Sequence, residues 1–508
     1  MKKIFSKFKQ LSGYLKTFII GLLVASCFSV YAAGTCVIAA TADDVSYNGT
    51  TVQAAIDELY SMSKDYCPPG YYCNKNEIDC NGNEVHATKP DRLSGLAKII
   101  AQNSFLDNVK SEYVSSCSGI DFHEKSDDAN GKGIYEMAST KNDTYPIYYY
   151  RGDVDNNNVK FGGFCWKAIR TTDTGGVKLI YNGEPDAGSN CTNTTGTDTQ
   201  IGTSEFNSNC TSPADVGYMY GTRYTTSSKS KYSSNLDTPY IYGGDVTYSG
   251  GTYTLTNTMT STGDWATDYN TLNNNHYTCF STGTTCSSVY YIIYTLSYQV
   301  YYITLTNGKK VEDALDEMFT NTTNSTAKTQ IDNWYNTNLS SYTSYIEDTV
   351  YCNDRSISDL GGWNPDGGDT TTNYKLAFSP STITKPNHPS LECSRVQDRF
   401  TVSSSKGNGA LTYPVGLITS DEVMYAGVSL GVGNKKYYLY TNQSYWTGSP
   451  DRFIYSAANH YYVNTSGGIF NWDANKTYGL RPVISLKSTD VVESGDGTSN
   501  NPYVIQTS

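Results

Sequence analysis

"FCWKAIRTTDTGGVKLIYNG", residues 164–183, decides the fold class of this chain. β-Forming residues fill the run from Val159 to Arg170, Thr, Asp and Gly make the turn "TTDTGG", and "VKLIYNG" starts a further strand. Just upstream, Ile147, Tyr148, Tyr149 and Tyr150 form an earlier β-rich run, so from Tyr145 the pattern has period two and reads as a β-meander.

Downstream, residues 186–275 are dominated by Thr, Ser, Asn, Gly and Tyr, with strand-like islands such as "TPYIY" and "GTYTLT". They read as a long, loop-rich insertion with hairpins. Two helices follow. "GKKVEDALDEMF" sets Val311, Ala314, Leu315 and Met318 on one side, and "STAKTQIDNWYNTNL" opens on a cap at Ser325 with Ile331, Trp334 and Tyr335 along its face. After an Asp/Gly/Pro-rich loop come the short strands "YPVGLIT", "YYLY", "YWTGSP", "HYYVNTSGGIF" and "GLRPVISL". Strands, two helices, then short strands between long loops is an α+β order.

The 508 residues give room for about three domains. Charged residues are few, at 17%, the net charge is -12, and Lys and Arg are scattered. No phosphate-neutralising surface follows from that distribution, so nucleic acid is not an expected partner. The one concentration of positive charge is N-terminal, where Lys2, Lys3, Lys7, Lys9 and Lys16 precede an uncharged run from Thr17 to Ala42. This is an export element with three possible fates: a membrane-spanning apolar helix, a signal cleaved after "SVYA" with Val30 and Ala32 at the small-residue positions, or a lipobox "VASC" that would lipidate Cys27. All three place the rest of the chain outside the membrane.

Residues 43–140 read as a stalk. A short amphipathic helix carries Val52, Ala55, Ile56, Leu59 and Tyr60, a cysteine-containing loop runs from Cys67 to Lys89, and a second helix spans about Arg92 to Tyr113. "KSDDANGKG" then breaks the periodicity, which places a boundary near 140. Residues 141–490 form the large domain and 491–508 a terminal turn and short strand.

There are thirteen cysteines, and setting Cys27 aside leaves twelve, an even number suited to an oxidising compartment. Spacing gives local pairs: Cys191–Cys210 around a Thr/Asn-rich loop, Cys279–Cys286 around a turn, and Cys352–Cys393 around a Gly/Pro/Asp-rich insertion. Cys67, Cys73 and Cys80 are spaced too widely for a zinc ribbon, so disulfides are the better reading and no metal site is expected.

Four ordered blocks, "FCWKAIRTTDTGGVKLIYNG", "YPVGLITSDEVMYAG", "YWTGSP" and "YGLRPVISL", resemble a Firmicutes-type family of bacterial surface proteins with a C-type-lectin-like domain. Its members open on a Trp-containing strand and hairpin and close with W-x-x-S-P, then G-[VL]-R-P and a last strand. The resemblance covers roughly residues 145–490 and singles out Trp166, Trp446, Ser449, Pro450, Gly479, Arg481 and Pro482 as structural. The residues make sense without the family. Gly479 permits close approach, Arg481 can anchor a turn by several hydrogen bonds, and Pro482 restricts the residues before it. Formylglycine-generating enzymes and phage tropism determinants are similar to this fold, and the tail "GDGTSNNPYVIQ" is similar to the ends of Firmicute surface modules.

No catalytic constellation assembles from the sequence. The five histidines are far apart, no H-E-x-x-H or G-x-S-x-G occurs, and the formylglycine enzyme's late cysteine pair has no counterpart after Cys393. The acid pairs Glu347–Asp348 and Asp421–Glu422 are more simply read as caps or solvated groups, and no cofactor is implied.

A binding face has more material. "DRFIYSAANHYYVNTSGGIFNWDANKTY", residues 451–478, offers Arg452, Tyr455, Asn459, His460, Tyr461, Asn464, Asn471, Trp472 and Asp473, the rigid rings and small hydrogen-bonding groups of adaptable recognition surfaces. The competing reading makes the alternating aromatics of "HYYVN" plain sheet core. A lectin-type calcium motif is incomplete here, and the acid-rich "WNPDGGD", Trp363 to Asp369, reads as an Asx turn. Arg151-Gly152-Asp153 spells an integrin-type tripeptide but falls where the first hairpin is expected. The acidic run after it fails as an EF-hand, with Asn158 and Phe164 where Gly and Glu are needed.

The expected function is non-catalytic recognition at the bacterial surface, with a host or bacterial glycan or protein as ligand. A phage-like or diversity-generated receptor-binding protein is the alternative, and an enzyme of the formylglycine-generating fold the third.

Overall fold

The computed structural model describes residues 93–106, 125–126, 133–137, 147–230, 241–260, 277–356 and 395–507, apart from 194, 282, 297–298 and 455. Scattered positions between 389 and 393 and the backbone of four short strands before residue 89 are also described. The expectations for residues 1–42 with Cys27, for the helix at Val52–Tyr60, for Cys67, Cys73 and Cys80 and for Trp363–Asp369 lie outside the described side chains.

The meander forms one antiparallel unit. Asn158–Phe161 pairs with Phe164–Thr171, which pairs with Val177–Tyr181, so that Val159, Trp166 and Tyr181 share one cross-strand row. Gly162 and Gly163 turn the first hairpin with φ of 62° and 86°, values that suit glycine, and a Cβ on Gly162 would meet Leu339 Cδ2 at 2.8 Å. Val483–Leu486 adds to one side of the meander. On the other, Tyr503–Ile505 runs parallel to Asn158–Phe161 with Val492–Ser494 beyond it. The sheet that holds the meander therefore also takes in the last strand of the chain.

A second, five-stranded sheet is built from Thr203–Glu205, Thr477–Gly479, Tyr445–Ile454, Ala457–Val463 and Ile469–Asp473, in that spatial order. A third, seven-stranded sheet takes in strands from Ser227–Ser230 to Gln299–Leu305, past the 186–275 stretch, because Tyr277 pairs with Tyr291 and draws in the hairpin that follows. The described chain is loop-rich and predominantly β with a few helices, within the α+β expectation.

The helices pack the core. Ser325 caps Thr326–Asn338 by accepting from Lys328 N at 3.0 Å, and the helix buries Ile331 and Tyr335. Its Trp334 meets Phe164 and Tyr181, each with ring centroids at 5.3 Å, and Trp166 at 6.2 Å, so the helix seats on the meander by tilted and edge-to-face aromatic contacts. Trp166 is fully buried, and its indole N–H donates to the Phe161 carbonyl at 2.9 Å.

Three disulfides join described cysteines: Cys165–Cys191, Cys279–Cys286 and Cys352–Cys393. The expected Cys191–Cys210 pair is corrected. Cys191 is drawn to the meander edge, where its N–H donates to the Ser499 carbonyl and its Cα stands 5.6 Å from that of Cys165. Cys210 is a free, partly buried thiol whose carbonyl accepts from Ala458. Enclosing a loop says which cysteines are near in sequence, not which Cβ vectors converge. The disulfides are compatible with an extracellular protein. Among the described residues no helix is long and apolar enough to cross a membrane.

One acidic side chain sets a pH dependence at the end of the meander sheet. Burial, with the charge of Glu347 adding to it, pushes Asp490 up to about 6, against the pull of the Lys487 N–H that its carboxylate accepts. The folded state thus holds a proton that the unfolded chain has released, and stability falls as pH rises from about 4 through 6. Asp490→Asn keeps an acceptor oxygen and is expected to melt higher than the parent at pH 7.5, with the gap closing below pH 4. Thermal melts at the two pH values check this.

Candidate functional site

The closing blocks fix the second sheet. Trp446 is fully buried and donates from Nε1 to the Ser204 carbonyl at 2.9 Å. Ser449 accepts from the N–H of Ser420, and the strand's register shifts between Trp446 and Pro450. A Cβ on Gly479 would fall 2.1 Å from Gln200 Cδ, so a larger residue there must displace the Gln200 amide. Arg481, fully buried, donates to the carbonyls of Tyr181 and Leu439, each at 3.1 Å, and to Asn182 Oδ1 at 2.9 Å, with its guanidinium over the Tyr445 ring. The Pro482 carbonyl accepts from Tyr181. This block ties the second sheet to the meander.

The register of the outer strands sorts the candidate binding residues. Arg452 pairs with Asn459 and Asn459 with Asp473, while Tyr461 pairs with Asn471. His460 pairs with Trp472, and Tyr462 with Phe470. Strand side chains alternate, so these are two opposite faces of the sheet, not one.

On the first face, Asn459 is buried and donates to Asp473 Oδ1 at 3.1 Å, Arg452 Nε lies 3.0 Å from Asp451 Oδ2, and Tyr461 is buried with Asn471 half-buried beside it. On the second, His460 is fully buried, stacked on Phe206 with ring centroids 3.5 Å apart and edge-on to Trp446 at 5.9 Å. Burial forces its pKa down to about 3. Asn464 is taken up by its own turn, where Oδ1 accepts from Ser466 N, Ser466 Oγ and Gly468 N. His460, Tyr461, Asn459 and Asn464 are therefore corrected from ligand contacts to sheet and turn structure. Tyr455 lies outside the described residues.

What remains open to solvent is Trp472, 51% exposed on the Ile469–Asp473 strand at the end of the sheet. Phe470 and Tyr462 share its face. Tyr462 stacks on the half-buried Tyr478 at 4.2 Å with 13° between ring planes, and both rest on Trp446. The sequence alone does not single out Phe470, Tyr462 and Tyr478. The two-residue spacing of 470 and 472 was the available signal.

Other sequence motifs find structural roles. Arg151 is 3% exposed, and its guanidinium donates to the carbonyls of Met424 at 2.8 Å and Tyr425 at 3.2 Å. Gly152 N–H is bound to the Ala426 carbonyl, which leaves Asp153 alone exposed in the tripeptide. A receptor that reads the arginine finds it occupied. Glu422 accepts from Lys178 and Arg170, and Asp348 accepts from the N–H groups of Val402 and Ser403 at 2.8 Å each. Among the described residues no group of three or more His, Cys, Asp or Glu is arranged to hold a metal ion.

Compared with known proteins, the chain matches no family model, no curated protein and no solved structure.

Proposed function

We propose that the chain is an exported bacterial surface protein whose large domain, of C-type-lectin-like architecture, binds a glycan without catalysis. The observation that carries this reading is Trp472: a large flat ring half in solvent, set on a sheet strand whose neighbours are packed. Its rigidity lowers the entropy lost on binding, and its face suits the C–H surface of a pyranose ring. Phe470 on the same face extends the apolar strip, while Asn471 and Asp473, the neighbours of Trp472 in sequence, project from the opposite face.

The test is a glycan-array screen of the folded chain, followed by titration of the best hit. Trp472→Ala is expected to weaken binding at least tenfold, about 1.4 kcal/mol, while stability stays within about 0.5 kcal/mol because the ring is largely outside the core. Unchanged affinity in the folded variant, or no glycan retained by the parent, would overturn the reading.

A further inference from the structure

Lys167 and Asn158 stand opposite each other on neighbouring antiparallel strands. They form a non-hydrogen-bonded pair: Ala168 N–H donates to Asn157 O, and Asn158 N–H turns away to Gly497 O. In such pairs the Cα atoms approach to about 4.5 Å and the side chains lie closest together. Both residues are buried, Lys167 at 3% exposure and Asn158 at 0%. Among the described residues the Lys167 amine has neither a hydrogen bond nor an ion pair, although the residue is buried. The Asn158 side chain is held in place, its Nδ2 donating to Asp155 Oδ1 at 3.2 Å, Asp155 O at 3.0 Å and Gly497 O at 2.9 Å, while its Oδ1 is buried without a partner.

We propose that Lys167 and Asn158 join in an intramolecular isopeptide bond, with the Asp155 carboxylate carrying the proton. The neutral Lys167 Nζ adds to Cγ of Asn158 and forms the new C–N bond. Asp155 takes a proton from Nζ and passes it to Nδ2, to which it is already hydrogen-bonded. The Cγ–Nδ2 bond then breaks and ammonia leaves. An amine and a carboxamide become a secondary amide and ammonia, nothing is oxidised or reduced, and Asp155 ends as it began.

Two physical terms favour the step. Burial, partly offset by Asp155 and reinforced by Arg481, brings the Lys167 amine down to about 8, so roughly a tenth of it is neutral at pH 7. The product is a neutral amide, which removes a desolvated ammonium from the sheet.

Peptide mapping of the reduced, folded full chain decides the matter. Trypsin should fail to cut after Lys167 and should yield a joined species of residues 152–160 and 161–170, about 17 Da below the summed masses through loss of ammonia. Asn158→Ala and Asp155→Ala should each give the linear peptides with normal cleavage after Lys167. A linear peptide 161–167 of unshifted mass from the folded parent would overturn the bond, whether or not the variants fold. A joined species persisting in Asp155→Ala would overturn the proton route. Succinimide formation at an Asn also loses ammonia but leaves the two peptides separate, and that pattern too would overturn the proposal.

Discussion

Replacing Glu422 by Ala is expected to destabilise the domain by about 3–5 kcal/mol, the cost of leaving buried charge without its partner. Glu422 Oε1 accepts from Lys178 Nζ at 2.7 Å and from Arg170 Nε at 2.9 Å, and Oε2 accepts from Thr419 N at 3.0 Å, which completes the capping box of the helix Ser420–Tyr425. The Lys178 and Glu422 side chains are 2% and 1% exposed. Burial alone would raise the pKa of Glu422, but Lys178 and Arg170 outweigh it and hold the carboxyl down at about 2. Lys178 shows the other side of the same contest: burial prevails over the pull of Glu422 and lowers the amine to about 8.

The carboxylate also joins parts far apart in sequence. Arg170 and Lys178 belong to the meander, whereas the helix of Glu422 holds Ser449 of the second sheet through Ser420. Urea denaturation of Glu422→Ala should show the loss, and adding Lys178→Met should recover a large part of it, since Arg170 is partly exposed and can reach water. A single-variant loss below about 1 kcal/mol would contradict the reading of this cluster as a lock between the sheets.

The second large effect is acid sensitivity from His460. The folded state keeps this imidazole neutral down to about 3, while the unfolded chain takes up a proton below about 6.5. Its contribution is therefore complete above pH 6.5 and drains away as pH falls toward 3. Between pH 7 and pH 4 the residue should remove about 3 kcal/mol. His460→Phe preserves a ring between Phe206 and Trp446 and cannot take up the proton, so its stability should fall far less over the same interval. Carboxylates titrate in both proteins, and the difference between the two urea curves at each pH isolates the histidine. Parallel pH profiles would place the ring outside the apolar stack.

The legible parts of the chain were those governed by neighbours in sequence. Turn chemistry at "TTDTGG", the cap at Ser325 and the helical spacing of Ile331 and Tyr335 are local, and the strand and helix they announce form where their residues dictate. The less legible parts depend on partners hundreds of residues away. The aromatic and amide density of residues 451–478 reads as one surface, but a period of two divides it, and Phe206, remote in sequence, closes with Trp446 over His460. Arg151 falls by its sequence in the first hairpin, yet its carbonyl partners lie beyond residue 420. Cys191 found Cys165 because two strands and a returning tail converge there, which loop spacing could not express.

The parallel pairing of Asn158–Phe161 with Tyr503–Ile505 has a mechanical meaning. A load that enters ahead of Asn158 and leaves after Ile505 pulls the two strands lengthwise in opposite directions. The slanted bonds between parallel strands then bear the strain together in shear, and none can be peeled before the next. Were the two strands antiparallel, the same pull would open them one bond at a time.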